Sequence, residues 1–248
     1  MAIDYERVET HLDELEERLA VMWRQGIRGI NLTLPLKEMA VELCSSISPR
    51  ARACGAVNVL TATPAGWHGD NTDGSGFWRD VSVRHRFQNR GAPILVIGGG
   101  GAARGIVGHL LSESLDVVLG VRRLEQGKRL VESLQKHYRT SLVPVYDLTS
   151  LPTDQTFQLV VHATSAGLAG TRPEVDSLVF ASHPWVYDIS YGLAARPFLT
   201  CASRYGASYV ADGLGMLLEQ AGEAFTLWTG CHCETDPVYS MLREQYPL

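Results

Sequence analysis

Apolar residues at helical spacing mark the first part of the chain. Between residues 11 and 23 they recur every three or four positions among charged ones, at Leu12, Leu15, Leu19 and Met22. This spacing predicts an amphipathic helix over residues 11–23 that packs one face inward. The pattern that follows predicts, in order, a strand at residues 27–34, a helix at 37–44 and a hairpin formed by 56–61 and 66–68.

A different pattern begins near residue 93, where short apolar runs alternate with longer helical patterns. The runs are typical of buried strands and lie at residues 93–97, 116–121, 142–146, 157–163, 185–189 and 207–210. Helical patterns lie between several of them, at residues 102–113, 124–137 and 197–205. This alternation predicts an α/β fold with a parallel sheet and helices on its faces. Residues 214–228 are apolar enough to form a buried helix.

Composition narrows the classes of function. The 248 residues are 45% hydrophobic and 20% charged, and the formal net charge is −5. An acidic chain of this kind lacks the concentrated basic surface of proteins that bind nucleic acid. It also has no apolar stretch of the roughly 20 residues that a membrane span needs, and no signal-peptide pattern at its start. We therefore expect a cytoplasmic protein that binds neither nucleic acid nor membrane.

The five cysteines are odd in number and scattered, which argues against a disulfide framework. Cys231, His232 and Cys233 form a short cluster, but no second cluster is available to complete four metal ligands at the usual spacings. We expect reduced thiols and no metal site.

A glycine turn follows the strand predicted at residues 93–97. Gly98, Gly99, Gly100 and Gly101 precede Ala102 and Ala103, which open a helix. Glycines let backbone amides approach a pyrophosphate, and a helix N-terminus attracts negative charge. The context favours a dinucleotide site, although a tight turn between strand and helix is an alternative.

The end of the next strand indicates which dinucleotide binds. NAD sites usually have Asp or Glu there, whereas this chain has Arg122 and Arg123. Guanidinium groups make charge-assisted bidentate bonds to a phosphate, which favours the 2′-phosphate of NADP. The alternative is a pair of solvated arginines in a loop.

Further motifs lie outside this unit. They are NLTLPLK at residues 31–37, GAVN at 55–58, DNTDG at 70–74, ATSAG at 163–167, Tyr187-Asp188 with Tyr191, ADGLGM at 211–216, Gln220 and Trp228-Thr229-Gly230. In this order they resemble the signatures of the shikimate dehydrogenase family, and they cover the chain from about residue 5 to residue 230. Each motif is weak alone, but the ordered set is specific.

The resemblance implies a Rossmann NADP-binding domain inserted into a smaller α/β substrate-binding domain. The expected boundaries are residues 1–78 for the first part of the substrate domain, 79–213 for the Rossmann domain and 214–248 for C-terminal helices that return to the substrate domain. The implied activity is the reversible NADP-dependent conversion of shikimate to 3-dehydroshikimate, in the shikimate pathway of aromatic amino acid biosynthesis.

The resemblance also implies roles for individual residues. Lys37 and Asp73 correspond to the acid-base pair. Residues that hold the substrate correspond to Thr33, Asn58, Tyr191 and Gln220. Cofactor contacts correspond to Gly98, Gly99, Gly100, Gly101, Ala102, Arg122, Arg123, Ile189 and Gly213.

The chemistry independently requires such a pair. Moving a hydride from a secondary alcohol to nicotinamide requires a side chain that takes the hydroxyl proton. Lys37 can do so when burial or a neighbouring charge tunes it, and Asp73 can orient it. The alternative is that Lys37 is solvated and that Asp73 caps a helix.

The sequence departs from the family in three places, one of which is Val121-Arg122-Arg123, where the family commonly has N-R-T. Family members usually open with a strand and a loop of the form G-x-P-x-x-x-S-x-S-P whose serines hold the substrate carboxylate, and we expect this chain to lack both. The resemblance allows a monomer or a homodimer, and the loss of the strand would expose a sheet edge that favours the dimer. His162 also stands where the family commonly has Asn. These departures leave open a related enzyme acting on another polyol or carbonyl substrate, or a weakly catalytic NADP-binding protein.

Overall fold

The computed structural model describes residues 3–138 and 143–248, and its first part is a small mixed sheet. The elements before the second sheet are a 3₁₀ turn (Leu12–Glu14), α1 (Leu15–Arg24), β1 (Gly29–Asn31), α2 (Ala40–Leu43), β2 (Ser46–Ile47), α3 (Pro49–Cys54), β3 (Val59–Thr63), β4 (Gly66–Asp70), α4 (Asp73–Arg79) and a π-helical turn (Asp80–Arg84). Among the described residues the strand order is β1-β3-β4-β2. Strand β3 is antiparallel to β1 and β4, and β2 is parallel to β4.

The second sheet is parallel throughout. Its elements are β5 (Ile94–Ile97), α5 (Gly101–Ser112), β6 (Val117–Val121), α6 (Leu124–Gln135), β7 (Val145–Asp147), β8 (Leu159–His162), β9 (Trp185–Asp188), α7 (Arg196–Arg204) and β10 (Tyr209–Asp212). The strand order in the described part is β10-β9-β8-β5-β6-β7. Strands β6 and β7 are added on one side of β5 and strands β8 to β10 on the other, so the switch point of the sheet lies between β5 and β8. Ligands of open parallel sheets bind at the carboxyl ends of the strands beside such a switch point.

Glycines let the two sheets' helices pack closely. Helix α4 contacts both α5 and α8 (Leu214–Thr229). A Cβ at Gly74 would collide with the backbone carbonyl of Gly105 in α5, and a Cβ at Gly76 would lie 2.7 Å from the backbone nitrogen of Gln220 in α8. Helix α9 (Asp236–Gln245) then ends the described chain. The first turn of α4 is thereby fixed against both parts of the molecule.

The α/β fold class and the Rossmann-type parallel sheet are confirmed. The prediction of a helix at residues 37–44 is wrong for its first half, because only Ala40–Leu43 is helical. The backbone carbonyl of Lys37 instead accepts the N–H of Val57 at 2.8 Å, which holds Lys37 against the first sheet.

Other expected elements differ in extent. The strand expected at residues 27–34 is confined to Gly29–Asn31. Leu142, in the strand expected at 142–146, lies outside the described residues, and the strand there is Val145–Asp147. Sequence patterns missed β2, α3 and α9.

Candidate active site

Lys37 and Asp73 form a largely buried ion pair. Lys37 lies in the turn after β1 and Asp73 is the first residue of α4. Lys37 Nζ is 2.6 Å from Asp73 Oδ2, and the side chains are 15% and 5% exposed. This burial excludes the alternative in which Lys37 is solvated, and the N-cap of α4 is Thr72 instead of Asp73. The pair combines a proton-carrying group with a charged neighbour that orients it.

The second oxygen of Asp73 is also held. Asn58, just before β3, donates from Nδ2 to Asp73 Oδ1 at 3.0 Å and lies 3.1 Å from Gln220 Oε1. Asn58 Oδ1 accepts the backbone N–H of Thr72 at 2.8 Å. The buried amide therefore joins β3, the start of α4 and helix α8 around one carboxylate.

The ion pair lies beside the glycine turn. A Cβ on Gly101, the first residue of α5, would be 3.2 Å from the Cβ of Lys37. Gly98 has φ +136°, in the region that favours glycine, and its Cβ would lie 2.5 Å from the carbonyl oxygen of Ala163. Around Gly100 no atom lies within 4 Å of a Cβ position in the described structure. The turn is thus open at Gly100 and adjoins the ion pair at Gly101.

These features fit NADP. The open Gly100 and the N-terminal amides of α5, from Gly101 and Ala102 onward, suit a pyrophosphate. Arg122 and Arg123 follow β6, are exposed, and form no ion pair within the described residues. They are therefore free to bind a phosphate. Gln126, which sequence reasoning missed, donates from Nε2 to the carbonyl of Gly99 at 3.1 Å and holds the turn from the α6 side.

Ile189 and Gly213 meet at the carboxyl ends of β9 and β10. The N–H of Gly213 donates to the carbonyl of Ser190 at 2.8 Å, and a Cβ on Gly213 would collide with the carbonyl of Ile189. These two expected cofactor contacts therefore lie side by side, on the opposite side of β5 from Arg122.

Two expected substrate residues, Thr33 and Tyr191, are more exposed than the ion pair. Thr33 is exposed in the turn before Lys37, and its hydroxyl has no hydrogen bond in the described part of the chain. Tyr191 is 36% exposed and packs edge-on against Tyr246, with ring centroids 5.5 Å apart. Neither side chain hydrogen bonds to Lys37 or Asp73 in the described chain.

Grouped metal ligands and membrane-spanning helices are both absent from the described residues. Across residues 3–138 and 143–248, no three His, Cys, Asp or Glu side chains come together as metal ligands. The helices of the same ranges are each too short or too polar to cross a bilayer. Burial raises the pKa of the Cys54 thiol to about 12, which makes it a poor nucleophile.

Comparisons with known proteins point to one family. The profile described as "Shikimate dehydrogenase substrate binding domain" matches residues 1–60, and "Shikimate 5'-dehydrogenase C-terminal domain" matches 213–243. The chain is 40% identical over 245 residues to a protein of Alkalilimnicola ehrlichii named shikimate dehydrogenase (NADP(+)), with 98% of this chain and 89% of the relative covered.

Solved structures give the same result. An Ael1 enzyme from Pseudomonas putida has a TM-score of 0.85 and 32% identity, with 95% of this chain and 85% of that chain covered. Shikimate 5-dehydrogenase from Thermus thermophilus, solved in complex with NADP(H) and shikimate, has a TM-score of 0.78 and 30% identity, with the same two coverages.

Proposed function

The chain belongs to the shikimate dehydrogenase family, and on this basis we propose that it catalyses the reversible NADP-dependent oxidation of shikimate to 3-dehydroshikimate or of a closely related cyclic hydroxy acid. The observation that carries the proposal is the buried Lys37–Asp73 pair, 2.6 Å apart, beside Gly101 of the glycine turn. In this arrangement residues 79–213 bind the cofactor, and residues 1–78 with 214–248 bind the substrate.

Two groups of residues would bind the two ends of the cofactor. The glycine turn and the first turn of α5 hold the pyrophosphate, and Arg122 with Arg123 bind the 2′-phosphate. Ile189 and Gly213 then border the nicotinamide, which supplies the hydride acceptor when NADP is bound. The two ends lie on opposite sides of β5, as binding across the switch point of the sheet requires.

Lys37 and Asp73 handle the proton. In oxidation the substrate hydroxyl gives its proton to this pair while the adjacent carbon loses a hydride, and in reduction the pair returns the proton. Asn58 fixes Asp73 and also donates to Gln220 Oε1, so a substrate hydroxyl that binds either amide takes the place of the bond between them. Thr33 and Tyr191, on the exposed side, complete the substrate contacts.

The test is reduction of NADP and NAD by the purified protein, followed at the nicotinamide absorbance with shikimate, quinate and uncharged cyclic polyols. We expect turnover of shikimate with NADP, and a rate about 10³-fold lower in Lys37→Ala with NADP binding retained. Lys128→Ala is the matched control, because Lys128 pairs with Glu125 on the surface of α6. Tight NADP binding without turnover of any of these compounds would overturn the proposal.

A further inference from the structure

His162 is a buried imidazole at the carboxyl end of β8. It is 0% exposed, and its ring lies 4.8 Å from the ring of Phe198 in α7. Nδ1 is 2.8 Å from Asp188 Oδ2, at the end of β9, and Nε2 is 2.6 Å from Thr164 Oγ1. Both ring nitrogens are thereby hydrogen-bonded inside the protein, so His162 makes no contact with a ligand.

The partner of Nδ1 defines the direction of its bond. Asp188 is an acceptor, so Nδ1 carries a proton and donates it to Oδ2. The hydroxyl oxygen of Thr164 accepts the N–H of Ala166 at 3.2 Å and also shares the hydrogen bond with Nε2. Asp188 uses its other oxygen to accept the N–H of Ser190 at 2.9 Å. The imidazole therefore completes an unbroken series of hydrogen bonds from Ser190 to Ala166.

These hydrogen bonds join two loops at the candidate cofactor site. One loop follows β8 and brings Thr164 against the glycine turn, where its methyl group would lie 3.3 Å from a Cβ on Gly98. The other follows β9 and carries Ile189, whose N–H donates to the carbonyl of His162 at 3.0 Å. Through its ring and its backbone, His162 thus fixes one loop relative to the other.

We propose that His162 is a positioning residue for the nicotinamide end of the cofactor site, acting through the hydroxyl of Thr164. The inference rests on the proposed function, because Ile189 and Gly213 border the nicotinamide only if NADP binds across the switch point. Arg122, which we assign to the adenine end, follows β6 and lies on the other side of β5 from His162 and Thr164.

Two variants remove the hydrogen bond between His162 Nε2 and Thr164 Oγ1 in different ways. His162→Asn keeps a donor near the position of Nδ1 for Asp188 but has no atom at Nε2, so Thr164 loses its partner. Thr164→Val keeps the shape of the side chain and removes only the hydroxyl. Thr226→Val is the matched control, because the Thr226 hydroxyl bonds to the carbonyl of Gly222 within α8, outside the site.

The readout is equilibrium binding of NADP and of 2′,5′-ADP, which contains only the adenine end. We expect both variants to weaken NADP binding about tenfold and to leave 2′,5′-ADP binding unchanged. Both changes break the same bond. The double variant should therefore bind NADP with the same affinity as the single variant that loses more affinity. Thr226→Val should match the wild type with both ligands.

The outcomes separate this inference from the proposed function. A wild-type chain that binds neither ligand overturns the proposed function and the inference with it. A wild-type chain that binds both, together with unchanged variants, overturns the inference alone. An equal loss for NADP and 2′,5′-ADP, or additive effects in the double variant, also overturns it, because His162 would then act through general stability.

Discussion

Arg243 holds the carboxylate of Asp212 with both terminal nitrogens of its guanidinium. Nη1 is 2.9 Å from Oδ2 and Nη2 is 2.5 Å from Oδ1. The Asp212 side chain is fully buried, and its Oδ2 also accepts the N–H of Gly192 at 2.9 Å. Hydrogen bonding to Asp212 raises the pKa of Arg243 above its ordinary value. One ion pair therefore ties α9 to the loop that carries Tyr191.

Arg243→Met should lower the free energy of unfolding by about 3 kcal/mol, because it leaves the Asp212 carboxylate buried without its cation. It should also raise the KM for shikimate by releasing the Gly192 loop beside Tyr191. Urea unfolding and steady-state kinetics measure the two effects. Arg204→Met is the control, since the Arg204 side chain lies exposed above the Tyr205 ring. Equal losses in both variants would contradict the role of the ion pair.

Arg122→Ala should discriminate between the two nicotinamide cofactors. A charge-assisted bond to a phosphate contributes about 2 kcal/mol, so NADP binding should weaken about thirtyfold. NAD has no 2′-phosphate, and its affinity should change less than twofold. Calorimetry on both cofactors measures the difference, with Arg129→Ala on the exposed side of α6 as the control. An equal loss for NADP and NAD would contradict the assignment.

The sequence predicted the parallel sheet and the glycine turn because both depend on local signals, whereas the pairing of Lys37 with Asp73 was implied by the resemblance to the family. Apolar runs define β5 and β6, and the glycine turn follows β5 directly. The Asp212–Arg243 pair was not predictable, because α9 is polar and short and carries no motif. Nor was the hydrogen bond between His162 and Thr164, since the orientation of the buried imidazole depends on Asp188 of the paired strand β9.

Asp70 should make stability depend on pH in the acidic range. Burial opposes its ionisation, but two bonds of 2.7 Å from Arg50 and one from the Ser48 hydroxyl outweigh burial and lower the pKa of Asp70. A carboxyl whose pKa is lowered by folding stabilises the folded state above its unfolded pKa of about 4. That stabilisation is lost as the pH falls further toward the folded value.

The comparison is Asp70→Asn against the wild type in urea unfolding at pH 7 and near pH 3. The variant should be about 2 kcal/mol less stable at pH 7, and the gap should narrow toward pH 3. Asp154→Asn, at an exposed carboxylate without an ion pair in the described chain, should follow the wild type at both values. A gap that stays constant with pH would show that packing, and not ionisation, causes the loss.

Gly101→Ala should separate activity from stability. Alanine favours the helix, so the free energy of unfolding should rise by up to about 1 kcal/mol. The added methyl group would lie 3.2 Å from Lys37 Cβ and 3.3 Å from Cδ, and the lysine must move by a few tenths of an ångström. Because proton transfer depends on the position of Lys37 beside Asp73, kcat should fall about tenfold.

Gly108→Ala is the control for Gly101→Ala because it makes the same change two turns later in α5. Its methyl group would lie 3.4 Å from Leu134 Cδ2, an ordinary contact, and far from Lys37. It should stabilise the helix by a similar amount and leave kcat unchanged. If both variants lose activity equally, the effect comes from the helix and not from Lys37. If Gly101→Ala keeps its full rate, the contact between the glycine turn and Lys37 does not limit catalysis.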